Sequence, residues 1–213
     1  MPLRYKNISA HLKNKEQTKQ RLIDAVGTII KNKGYKGIGL NAIAKEADVS
    51  KILIHRYFGG VDQLVEAYVL KNDYWIAKSR ELAEQTEFKT TKATLKEMVA
   101  DLLKGHFEYF NNHEEMRKVI LWEISERSAL LNSISHLRED LGKSLLDKSS
   151  PILEGSGKSL KGVTALLVSG IYYLILHAKN NESTICGIDV NSVEGQKEIL
   201  KTIDQLIDWT FDV

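Results

Sequence analysis

Apolar residues recur along this chain at steps of three and four nearly throughout. That spacing puts them on one face of an α-helix. Leu22, Ile23, Val26, Ile29 and Ile30 mark such a face on a first helix, with Thr18 placed to cap its start and Gly34 where a helix-ending glycine belongs. Two short patterned runs follow, LNAIAKEA and KILIHRYF, with only Asp48, Val49 and Ser50 between them. A longer helix is predicted from residue 61 to about 84, with Leu64, Val65, Tyr68, Val69, Trp75 and Ile76 on its apolar side. After the polar break EQTEFKTT come the stripes Leu95–Leu102–Phe110, Val119–Ile120–Ile124 and Leu130–Ile134–Leu137–Leu141. The segment SSPILEGSGKS reads as a loop. The apolar run GVTALLVSGIYYLILHA and a last helix through Ile199, Leu200, Ile203, Leu206, Ile207 and Thr210 complete the chain. With no strand pattern, repeat or low-complexity tract, the expected fold is all-α with about nine helices.

Two short helices joined by a tight turn cannot bury their apolar faces alone. The first helix supplies a stripe of matching length, which is the physics of a helix-turn-helix in a three-helix unit. Ile43, Ala44 and Ala47 are expected inside, with Ile54 and Phe58, four apart, as the anchors of the second short helix. Asp48 falls where the turn needs a left-handed residue, which Asp tolerates better than most. Val49 is expected to plug the core and Ser50 to cap the second helix.

Charge sharpens this picture. Residues 1–70 hold 12 Lys/Arg against 6 Asp/Glu, whereas residues 71–213 hold 18 against 22. A basic first third on an acidic body suggests a polyanion-binding module joined to a differently employed remainder. The single cysteine, Cys186, rules out an intrachain disulfide and fits a reducing cytoplasm. The amino-terminal residues lack the apolar core of a secretory signal. The apolar run at residues 162–178 falls just short of a membrane span and contains Thr164, Ser169 and His177, so a buried helix is expected. The six histidines show no HExxH spacing, and no GxSxG or glycine-rich phosphate loop occurs. No metal, no cofactor and no enzymatic activity are therefore expected.

The run from Thr18 to Leu64 resembles the DNA-binding domain of the TetR family of bacterial transcriptional regulators. Arg21, Leu22, Ala25, Gly34, Tyr35, Ile43-Ala44, Ala47-Asp48-Val49-Ser50, Phe58 and Leu64 carry the resemblance. Seven positions depart from the usual pattern. Gly39 stands for a capping Thr, Asp48 for Gly, and Ile52-Leu53 for Gly-Thr. His55 and Tyr57 exchange the usual ring types, and Val61 replaces a phosphate-contacting Lys.

The resemblance implies a DNA-binding domain over residues 1–60 and a helical effector-binding and dimerisation domain over residues 61–213. DNA contacts are expected from Asn41, Ser50, Lys51, Ile52, Leu53, His55, Arg56 and Tyr57. Arg4, Lys6, Lys13 and Lys15 are read as either a basic arm or a plain tail. Ile52 and Leu53 either touch thymine methyls or cover a neighbouring helix. For a small-molecule effector, the candidate linings are His106, Phe107, Phe110, Trp122, Tyr172, Tyr173 and His177; ordinary core is the competing reading. The small residues Gly162, Ala165 and Ser169 recur with Tyr173 at helical spacing, a seam suited to a homodimer, and Ile199, Ile203, Leu206 and Thr210 are expected to join it. The implied function is a ligand-responsive regulator, read as a repressor on a pseudo-palindromic operator. The alternatives are a helical binding module that has lost DNA recognition, or an all-α enzyme using the central cavity.

Overall fold

A computed structural model describes residues 3–84, 91–147 and 150–212. Helices account for nearly all of the regular structure there: α1 Leu3–Lys33, α2 Leu40–Glu46, α3 Ile52–Phe58, α4 Val61–Asn72, α5 Tyr74–Glu84, α6 Lys92–Asn112, α7 Glu114–Ser125, α8 Ala129–Asp147, α9 Ser150–Leu153, α10 Leu160–Asn181 and α11 Val193–Phe211. A single 3₁₀ turn spans Tyr35–Gly37, and the only extended pairing among the described residues is an isolated bridge between Ile185 and Ile188.

Several boundaries differ from the sequence expectation. The first helix starts at Leu3, so Thr18 lies inside it; its hydroxyl donates to Asn14 O at 2.8 Å instead of capping an end. The helix expected over residues 61–84 is two helices. Asp73 adopts extended backbone (ψ 124°) between them, and the Asn72 side chain donates to Tyr68 O at 2.8 Å. Short polar side chains that bond nearby backbone compete with helical continuation. The loop expected near residue 151 contains the one-turn α9. The polar break after residue 84 lies mostly outside the described residues.

The chain forms two compact units. The first comprises Met1–Asp73 with Lys118–Ile134. Its core joins Leu22, Ala25, Val26, Ile29 and Ile30 of α1 to Ile43 and Ala44 of α2, Ile54 of α3, and Leu64, Val65, Tyr68 and Val69 of α4. Burying side chains of this size contributes about 1.5–3 kcal/mol each, which holds the short α2 and α3 in place. Because α4 packs on α1, the unit runs past the boundary expected at residue 60. Gly34, at φ 68°, closes α1 as expected, with its N–H donating to Ile30 O. Tyr35 then stacks on Trp122 of α7 (4.9 Å, 4°) and its hydroxyl donates to Glu126, which raises the Tyr35 pKa.

The second unit comprises Tyr74–Arg117 with Ser135–Val213. Leu95, Val99, Leu103, Phe107 and Phe110 of α6 pack with Ile203, Ile207 and Phe211 of α11 and with Ile171 and Ile175 of α10. Side-chain caps fix three helix starts. Thr91 and Thr94 form a reciprocal capping box at α6, while Ser159 and Ser192 accept from Gly162 N–H and Gly195 N–H at α10 and α11. Such caps satisfy amide groups that have no partner within the helix.

Candidate nucleic-acid interface

The turn between α2 and α3 is built around Asp48, whose φ of 49° confirms the left-handed residue the spacing required. Arg21 of α1 fastens this turn. Its Nη2 donates to Ala47 O at 2.6 Å and Asp48 O at 2.9 Å, and lies 3.4 Å from Asp48 Oδ2. Val49 N–H donates to Ala44 O, closing the turn. Ser50 does not cap α3 with its side chain. Lys51 occupies the cap position in helical backbone, and the first turn is closed by Leu53 N–H to Ser50 O and Ile54 N–H to Lys51 O. Ser50 is exposed.

Ile54 is fully buried and fixes the rotation of α3, while Phe58 is only half-buried. That rotation exposes Lys51, Ile52, His55 and Arg56, with Asn41 and Ser50 beside them. Ile52 is 69% exposed, so of its two readings the neighbouring-helix one fails; Leu53 is half-buried and partly covers the protein itself. His55 Nδ1 lies 3.4 Å from Gly59 O, tying the ring to the end of its own helix. Tyr57 is half-buried and carries two cations over its ring, Lys15 Nζ at 5.9 Å and the Arg56 guanidinium at 6.0 Å. Val61, the first residue of α4, brings no charge to that helix start. Asn41, Ala44, Lys45, Asp48, Val49, Ser50 and Lys51 line a shallow concavity along the turn.

Sequence reasoning missed two roles here. Arg21 was legible only as part of a family pattern, because its partners lie 26 and 27 residues away. Lys15 sits in α1, a helix, and not in a free arm.

The effector candidates divide. His106, 1% exposed, meets Trp75 and Tyr172 at 4.8 Å, Tyr74 at 5.6 Å and Phe110 at 6.0 Å, and Phe110 meets Tyr172 at 4.7 Å. Gly105 lets Tyr74 approach α6, where its hydroxyl donates to Leu102 O at 2.8 Å; a Cβ at that position would collide with the phenol. His106 Nδ1 is buried without a hydrogen-bond partner. Burial, then the positive charge of Arg138, pushes the imidazole pKa down to about 3, so the ring is neutral at pH 7. Phe107 is buried core and makes none of these ring contacts. Trp122 belongs to the first unit, stacked on Tyr35, and so is no member of this cluster. Tyr173 and His177 pair with each other at 5.7 Å, with Tyr173 64% exposed, and so lie outside it as well. Tyr74 and Trp75 were not among the expected linings. Periodicity joins their helix to α4 and does not register the break that re-aims them.

The dimer candidates also divide. Gly162, Ala165, Ser169 and Tyr173 are all exposed, joined by Leu166 at 78%. The α10 helix is therefore not the buried helix expected: of its 22 residues only Leu160, Ile171, Ile175, Leu176 and Ala178 are buried. Ile199 and Leu206 are half-buried. Ile203 and Thr210, at 1% and 5% exposure, face the core of the second unit and not outward as expected. Among the described residues no three His, Cys, Asp or Glu side chains gather in a metal-binding arrangement.

Comparison with known proteins agrees with this arrangement. Residues 22–68 match the family model for bacterial regulatory proteins of the tetR family. The chain is 29% identical over 121 residues to YttP, a probable HTH-type transcriptional regulator of Bacillus subtilis (strain 168), a match spanning 56% of each chain. It is 28% identical over 176 residues to the HTH-type transcriptional regulator BetI of Vibrio campbellii (strain ATCC BAA-1116), covering 74% of this chain and 79% of that one. The fold is similar to that of the fatty acid degradation regulator FadR from Bacillus halodurans, with a TM-score of 0.62 at 16% identity over 88% of this chain and 96% of the other. A TetR-like transcriptional regulator from Rhodococcus sp. RHA1 gives 0.58 at 16% over 89% and 93%. Over residues 22–68 the chain is thus similar to bacterial regulatory proteins of the tetR family, and its helical fold is similar to that of TetR-like regulators.

Proposed function

We propose that the protein is a ligand-responsive repressor that binds a pseudo-palindromic operator as a homodimer in the cytoplasm. The observation that carries this reading is the exposed face Lys51–Ile52–His55–Arg56, held out from the core by buried Ile54 and by the Arg21 clamp on the turn. Such a helix, with cations at its flanks, suits the major groove. Two copies would read half-sites about 34–36 Å apart, or somewhat farther. Asn41, Ser50, Leu53 and Tyr57 complete the proposed contact set. The exposed stripe of Leu166 and Tyr173, with the small Ser169 between them on α10, supports the dimer. Its exposure would be unfavourable in a lone soluble chain.

The effector is proposed to act at the aromatic cluster around His106. A buried imidazole nitrogen without a partner is costly, and a ligand hydroxyl or carbonyl group would satisfy it. Ligand binding would then bias the pair of DNA-binding units toward a spacing that fits DNA poorly; a coupling of about 1–3 kcal/mol suffices. Selection from a random duplex pool tests the reading. It predicts enrichment of a two-fold symmetric sequence, and enrichment of none would favour a binding module without DNA recognition, as Val61 and the exposed Ile52 would permit.

A further inference from the structure

The recognition face explains Ile52 and Lys51 but not why Lys15 of α1 reaches the same surface. Lys15 and Arg56 come from different helices and both lie over the Tyr57 ring. The ring face attracts each cation, yet the two repel one another. Among the described residues neither forms an ion pair, whereas nearby Lys19 pairs with Glu16 at 3.2 Å. Residues 14–20 of α1 contain no buried side chain, so the core does not require this part of the helix. The sequence ahead adds Arg4, Lys6 and Lys13, with no Asp or Glu before Glu16. Two cations over one phenol ring, with the hydroxyl of that ring, offer the donors that hold phosphodiester oxygens.

We propose that Lys15, Arg56 and Tyr57 form a phosphate clamp on the DNA backbone beside the recognition helix, which makes Lys15 a DNA-contacting residue outside the helix-turn-helix. This rests on the regulator reading above. The clamp is sequence-independent, so it acts on any duplex and extends the footprint past the bases that α3 reads. Tyr57 has two functions in it: its ring gathers the cations and its hydroxyl is a third donor.

The test is the salt dependence of binding to a random-sequence duplex, measured for the full chain and for Lys15→Gln, Tyr57→Leu, the double variant and Lys19→Gln. Far-UV circular dichroism and melting temperature establish that each variant is folded. Each neutralised phosphate contributes about 0.9 to the slope of log affinity against log salt. Lys15→Gln is expected to reduce the slope by about that amount per subunit. Lys19→Gln, already paired, should leave it unchanged, and Lys15→Gln should add little once Tyr57→Leu has removed the ring. A folded Lys15→Gln protein with the slope of the unaltered chain overturns the clamp while leaving the regulator reading standing. An unaltered chain that binds no duplex overturns both.

Discussion

Arg21 reaches across from α1 to hold the backbone carbonyls of Ala47 and Asp48 with one guanidinium nitrogen, at 2.6 and 2.9 Å. The same nitrogen lies 3.4 Å from the Asp48 carboxylate, but that carboxylate is 99% exposed. Hydrogen bonds from a charged donor contribute about 1.5–3 kcal/mol, whereas an exposed ion pair contributes about 0–1 kcal/mol. The carbonyl contacts therefore dominate.

A stability comparison follows from this imbalance. Arg21→Ala is expected to cost about 2 kcal/mol in urea unfolding. Asp48→Gly removes the ion pair but relaxes a left-handed backbone costing about 1–2 kcal/mol, so its net change should stay within about 1 kcal/mol. Equal losses in the two variants would mean that the carboxylate, not the carbonyls, is what Arg21 holds.

Ile52 is expected to read a thymine methyl, the one apolar group that the major groove offers. Replacing thymine by uracil at each operator position removes that methyl and keeps the pairing edge. At least one replacement should weaken binding, and Ile52→Ala should abolish that sensitivity. Uniform affinity across all replacements would contradict the contact.

Acid stability should report on His106. Its folded-state pKa is depressed to about 3 by burial, against an ordinary value near 6.5. The unfolded chain therefore binds the proton more readily between those values. The stabilisation is complete above about pH 6.5 and declines by up to about 1.4 kcal/mol per unit as the pH falls toward 3. His106→Phe should flatten the stability profile over that window. An unchanged acid limb would place the responsible group elsewhere.

Sedimentation distinguishes the two faces of the last helices. Leu166→Glu on the exposed α10 stripe should give folded monomers, because its side chain is 78% exposed within the subunit. Ile203→Glu should instead lower the melting temperature sharply, since it buries a charge against α6. A dimer that survives Leu166→Glu would exclude this stripe from the interface.

Local periodicity makes much of this fold legible in the sequence. The three-helix core was readable because Leu22, Val26, Ile43 and Ile54 repeat at helical steps, and the left-handed Asp48 because a three-residue turn demands it. What escaped depended on contacts distant in sequence or on small energy differences. The Arg21 clamp spans 27 residues, and the Tyr35–Trp122 stack joins residues from separate helices. The break at Asp73 reflects a competition between side-chain and helical hydrogen bonding that periodicity does not register. Ile203 and Leu206 are both apolar and three apart, yet only the first is fully buried. Which side of an apolar helix faces its own core and which faces outward is set by its neighbours in space.

The central claim, that the basic first third binds a DNA backbone, is tested most directly by affinity for a duplex as a function of salt concentration. A dimer that neutralises about 6–8 phosphates should give a slope of log affinity against log salt of roughly −5 to −7. A slope near zero would contradict the account.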